Sequence, residues 1–200
     1  MKRWIVALAA SLAALGVSGC VAPAGPVEVT RYSAPEIAQL QRGSITVEPA
    51  PGGDAQGLEF NTYAAAVSRE LARVGFAQQA AGVSELVASV KVTHDVFRSD
   101  AGRSPVSVGV GGSTGSYGSG VGVGVGINLN SLIGSGEKVE TVLSVMIRQR
   151  STGKSLWEGK ARHVVSAGSP LATTALAAPK LAEVLFRDFP GRSGETITVK

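Results

Sequence analysis

The sequence predicts an α+β fold: a mainly antiparallel sheet of about six strands, two helices on one of its faces, and a Gly/Val-rich β-ribbon extending from it. Three observations carry this expectation. Several segments alternate apolar and polar residues with a period of two, as half-buried strands do. Two segments repeat apolar residues at helical spacing. Residues 102–136 alternate valine with glycine and hold twelve of the chain's 26 glycines.

Length and composition narrow the class. Two hundred residues suit one domain. With 44% apolar residues and a net charge of +4, the chain can bury a core and is not of the disordered class. A single cysteine excludes a disulfide scaffold. Glycine that does not fall at every third position excludes collagen.

The amino terminus carries an address. Met1-Lys2-Arg3 is positive, and Trp4 through Val17 is an apolar run too short to span a bilayer but suited to a secretory signal. The run ends in Val17-Ser18-Gly19-Cys20, which looks like a bacterial lipobox. Residues 1–19 are therefore expected to be a lipoprotein signal peptide, cleaved before Cys20. The alternative is a plain signal peptide followed by a free thiol, but the chain's one cysteine falls where acylation needs it. A diacylglyceryl thioether and an amide-linked acyl chain such as palmitate would make a durable anchor. Val21 follows the cysteine where an inner-membrane retention signal would place Asp, which favours the outer membrane. Cleavage removes Lys2 and Arg3, half of the excess positive charge. The basic character of the precursor therefore gives no case for nucleic acid.

Residues 20–26 are rich in Ala, Pro and Gly and uncharged, and are expected to be a lipid-anchored tether. Residues 27–200 are expected to form one α+β domain. Val27 to Tyr32 alternates and predicts a first strand. Ser44 to Val47 predicts a second, stopped by Pro49 and Pro51. Phe60, Tyr63, Ala64, Val67, Leu71 and Val74 predict a helix, with Gly75 at a left-handed cap. Leu86 to Val96 alternates most clearly, placing Leu86, Ala88, Val90, Val92, His94 and Val96 toward the core. Val139 to Ile147 and Trp157 to Val165 predict a hairpin with odd positions inward. Parity then calls for a three-residue loop, Thr152-Gly153-Lys154, and sets Arg148 opposite Glu158. Ser169-Pro170 predicts a helix start, Pro179 a break or kink, and Glu195 to Lys200 a closing strand.

Three readings of the glycine-rich segment stay open. Its valine face packs on the domain, or it meets a partner or the membrane surface, or it lends strands to an oligomeric barrel. In each, the stretch from Gly111 to Gly120 is the mobile tip.

Signals for chemistry are weak. Gly111-Gly112-Ser113-Thr114-Gly115 matches the nucleophile-elbow spacing, but no helical pattern follows the serine. Gly153-Lys154-Ser155 lacks the first glycine of a phosphate loop and leads into a strand. His94 and His163 are in phase with apolar strand faces, so they are expected to be hydrogen-bonded core histidines rather than metal ligands. No catalytic, cofactor or metal residues are assigned. Arg148, Arg150, Lys160 and Arg162 share the outer face of the hairpin. With Ser113 and Tyr117 of the ribbon tip they form the candidate partner surface. Outward-facing Val142, Met146, Leu156 and Val164 imply that this face is partly covered.

Several of these segments together resemble a known family. They are the lipobox, Leu71 to Phe76, Glu85 to Val90, the valine-glycine ribbon, Thr152-Gly153-Lys154 with Trp157-Glu158-Gly159, and Phe189-Pro190-Gly191. The group is one of Gram-negative lipoproteins catalogued as domain of unknown function forty-one thirty-six. The resemblance covers nearly the whole mature chain and implies no activity, cofactor or catalytic residue. The family often has Ala-Asp where this chain has Glu85-Leu86.

The expected function is that of a non-enzymatic, lipid-anchored envelope protein. It would sit on the periplasmic face of the outer membrane, held through Cys20, and bind an unknown envelope protein or glycan. An oligomeric export or outer-membrane assembly component is one alternative, and a hydrolase is another.

Overall fold

The computed structural model describes residues 25–39, 42–80, 82–99, 106–113, 120–127 and 136–200. The signal peptide, Cys20, most of the tether and Tyr117 lie outside them. The elements run β1 (Val27–Ser33), α1 (Glu36–Gln39), β2 (Ser44–Pro49), α2 (Leu58–Arg73), β3 (Ala77–Gln78) and β4 (Leu86–Ser99). They continue with β5 (Val106–Ser113), β6 (Gly120–Ile127), β7 (Gly136–Gln149) and β8 (Ser155–Ser166). A 3-10 turn (Pro170–Ala172), α3 (Thr174–Phe186) and β9 (Glu195–Val199) close the chain.

Seven strands form one sheet in the order β3-β2-β4-β7-β8-β1-β9, and β5 and β6 pair in a separate two-stranded sheet. The class is α+β as expected, but the sheet is mixed. β2 runs parallel to both β3 and β4. Helix α2 makes the crossover that parallel neighbours require, and a hairpin could not.

Helices α2 and α3 cover one face. Tyr63, Ala66, Val67 and Leu71 of α2 meet Ala177, Ala178, Leu181, Val184, Leu185 and Phe186 of α3 above Ile45, Ala88, Val90, Leu143, Val145, Ile147 and Ala161. Gly75 takes φ +102, the left-handed end expected of α2.

Four details depart from the sequence reading. The alternation of β4 was expected to keep even positions in the core through Val96. Leu86, Ala88 and Val90 are buried, yet His94 is exposed rather than a core histidine, and Val96 is 63% exposed. The helices end near His94, and the rest of the strand runs on past their cover. Residue 148 opposes Ser155, not Glu158, because a bulge after Ile147 inserts Leu156. The turn spans residues 150–154, and Met146 faces Glu158. The inward odd parity survives, and Leu156 is buried beside Trp157 rather than facing out. Ser169 caps only a 3-10 turn, accepting from the Leu171 amide, and α3 starts afterwards at Thr174. Pro179 sits inside α3 without ending it. Its missing amide frees the carbonyl of Ala175, which lies in an exposed turn where water can serve it.

Candidate functional site

The two histidines meet at one end of the sheet. His94, Thr141, His163, Val27 and Val199 form a single row across β4, β7, β8, β1 and β9. Glu59, in the first turn of α2, brings its carboxylate to 2.7 Å from His94 Nε2. The hydroxyl of Thr174, at the start of α3, donates to the same oxygen at 3.2 Å. On the other side of the ring, Thr141 Oγ1 lies 3.0 Å from His94 Nδ1. A carboxylate only accepts, so Nε2 donates to Glu59, and Nδ1 shares its second hydrogen bond with the Thr141 hydroxyl. Both helix starts are thus pinned to the sheet through one imidazole. Glu59 also complements the positive end of the α2 dipole.

Two buried polar groups flank this pin. Tyr63, one turn after Glu59, is fully buried and tilts its ring against His94 at 6.4 Å between centroids. Burial, with the Glu59 charge adding to it, pushes the Tyr63 hydroxyl well above its usual range. His163 places Nε2 3.2 Å from the carbonyl of Leu171, and its Nδ1 is buried without a partner among the described residues. Burial holds the His163 imidazole below its ordinary value, and nearby His94 adds to this. The Leu171 carbonyl opposes it. Thr141 is fully buried, so its hydroxyl cannot meet a substrate even though a histidine and a carboxylate stand in line with it.

The lowered value of His163 has a sign. The folded protein keeps the ring neutral, while the unfolded chain binds a proton near pH 6.5. Its contribution is complete above that pH and is lost progressively as pH falls from there through the lower folded value. Urea melts between pH 7 and 5.5 are expected to show falling stability in the parent and a flatter dependence in His163→Asn. An unchanged slope in the variant would refute the assignment.

The outer face of the hairpin carries the basic candidates. Arg162 forms two hydrogen bonds to Glu140, at 2.9 and 2.7 Å, and stands 4.0 Å from Glu28. These bonds push its guanidinium above its usual value. Arg150, in the turn, pairs with Glu48 at 2.5 Å and donates to the carbonyl of Ser84 at 2.9 Å. Arg148 and Lys160 make no ion pair among the described residues. Lys91, Lys138, Arg148, Lys160 and Arg162, with Arg150 of the turn, are nearly balanced on this face by Glu28, Glu48, Asp95, Glu140 and Glu158, so it offers only a weak field to a polyanion. Val87 and Val164 are fully buried here, whereas Val142 and Met146 are half-buried. Ser113 closes β5 opposite Gly120. Cys20 and Tyr117 lie outside the described residues. The His94–Glu59 pin was missed from sequence, although Glu59 stands four residues before Tyr63 and so shares its helix face.

Residues 41–191 match the family described as Domain of unknown function (DUF4136). The chain belongs to this family. An uncharacterized protein of Zymomonas mobilis is 30% identical over 223 residues, an alignment covering 88% of this chain and 80% of that protein. Among solved structures, a PDZ domain protein from Parabacteroides distasonis shares the fold at 9% identity, with a TM-score of 0.50. That match covers 87% of this chain but only 39% of the other. A PelC dodecamer from Paraburkholderia phytofirmans matches at 13% identity with a TM-score of 0.41, covering 84% of this chain and 99% of that one.

In this DUF4136 chain the short motifs noted from sequence are packing devices. The Trp157 indole lies against Phe186 at 5.3 Å and Phe189 at 5.1 Å, and its Nε1 donates to the carbonyl of Pro190 at 2.9 Å. A Cβ on Gly159 would fall 2.3 Å from the Trp157 ring, so only glycine lets the indole fold over its own strand. A Cβ on Gly191 would fall 2.8 Å from Arg31. Arg31 is buried and donates to the carbonyls of Leu185 at 3.0 Å and Val184 at 2.9 Å, satisfying the end of α3.

Proposed function

We propose that this DUF4136 protein is a lipid-anchored envelope protein that binds a partner rather than turning over a substrate. The observation that carries the proposal is the single cysteine, Cys20, placed where an apolar run ends in Val17-Ser18-Gly19. The buried Thr141 favours binding over catalysis, because the one histidine–carboxylate alignment described has no nucleophile within a substrate's reach.

The glycine-rich ribbon is the proposed contact element. In the β5–β6 register Val106 opposes Ile127, Val108 opposes Val125 and Val110 opposes Val123, while Gly109 opposes Gly124 and Gly111 opposes Gly122. Directly opposed residues share a face. One face of this ribbon is therefore apolar by position, and the other is nearly bare.

Radiolabelled or azide-bearing fatty acid fed to expressing cells tests the anchor. Cys20→Ser is expected to lose the label and accumulate as uncleaved precursor. Processing and membrane partitioning like those of the parent would sink the proposal.

A further inference from the structure

We infer that the pole of the domain built around the His94 row faces the bilayer and rests on its lipid surface. This rests on the anchor proposed above. Three observations meet at that pole. First, β1 begins at Val27 in the His94 row, and Pro26 lies on the side of that row toward which the paired β4 and β7 extend. The anchored segment therefore leaves the domain on the same side as the β4–β7 arm. Second, that arm extends from His94 to Ser99, opposite Gly136, about 17 Å beyond the row. The link from Cys20 to Val27 reaches at most about 25 Å when fully extended. An acylated Cys20 thus holds the Val27 row within about 25 Å of the bilayer, and the arm spans about 17 Å of that gap on the side where the anchored segment leaves. Third, five large apolar side chains are exposed among the described residues, and three of them lie within two residues of a member of the pin. Leu58 precedes Glu59 and is 86% exposed, Val96 follows His94 on the same strand face at 63%, and Leu176 follows Thr174 at 49%.

Together these make an apolar rim that lipid covers. Partial burial of such side chains at the headgroup boundary adds to the acyl anchor and fixes orientation, which acyl chains alone do not. The opposite pole, with the β7–β8 turn at Thr152, points away from the membrane.

Site-directed spin labelling tests this on the full lipidated protein in vesicles of phosphatidylethanolamine and phosphatidylglycerol. Acylation consumes the native cysteine, so Leu58→Cys, Val96→Cys and Leu176→Cys each take one label, with Thr152→Cys as the reference. The ratio of oxygen to water-soluble nickel collisions is expected to rise several-fold at the three pole sites over Thr152. Flotation of the same samples reports the anchor separately. Floated protein whose pole labels stay as nickel-accessible as Thr152 overturns this inference and leaves the anchor standing. Labels shielded from both oxygen and nickel place protein rather than lipid on the rim, and overturn it too. Protein that fails to float removes the anchor, and the inference with it.

Discussion

Val90→Asp is expected to unfold the domain, and Val96→Asp, six residues along the same strand face, is expected to leave it folded. Val90 is 2% exposed and lies in the core beneath the helices, where a carboxylate finds neither water nor a cation. Burying such a charge costs several kcal/mol, against a total stability of about 5–15 kcal/mol for an ordinary domain. Val96 is 63% exposed and should cost at most about 0.5 kcal/mol. Alternation alone makes the two positions equivalent, so urea melts of the pair separate the structure from the pattern. Equal damage from both would show that the helices reach further along β4 than they do here.

Trp157→Ala should cost about 3–5 kcal/mol, the range for emptying a large aromatic site. The loss combines the stack on Phe186, the contact with Phe189 and the bond to the Pro190 carbonyl, which would be left unpaired. Gly159→Ala should also destabilise, because its methyl would collide with Trp157 and with Leu185 at 2.8 Å. In the double variant the two costs should not add, since removing the indole frees the space the methyl needs. Strict additivity in thermal or urea melts would contradict the packing described.

Much of the fold was legible because it rests on period. The stripe of α2, the odd-in parity of β7 and β8, and the alternation of β1 each follow from a face that must be buried. What was illegible lacks local expression. β3 is two residues, Ala77–Gln78, too short to show any pattern. Parallel pairing of β2 with β4 leaves the same alternation as antiparallel pairing would. The bulge at Leu156 shows only once both strands are laid side by side. In the candidate site, Glu59 and His94 are 35 positions apart, and only tertiary packing joins them. Arg31 offered a readable hint, since it follows Val27 and Val29 in the inward phase, where a charge needs a dedicated acceptor. Pro179 misled because a missing amide matters little where the orphaned carbonyl reaches water.

The sheet places the first strand of the domain between two of its last, with β1 paired to β8 on one side and β9 on the other. Synthesis or export delivers β1 long before either neighbour exists. Until Glu195 to Val199 arrives, Val27 to Arg31 have lost one ladder, and until β8 arrives they have none. A chain emerging amino terminus first therefore cannot close this sheet stepwise. Its earliest strand waits unpaired, and such long-range closure makes completion late, slow and cooperative. For the export that the proposed anchor requires, this delay would keep the chain threadable until β9 has crossed.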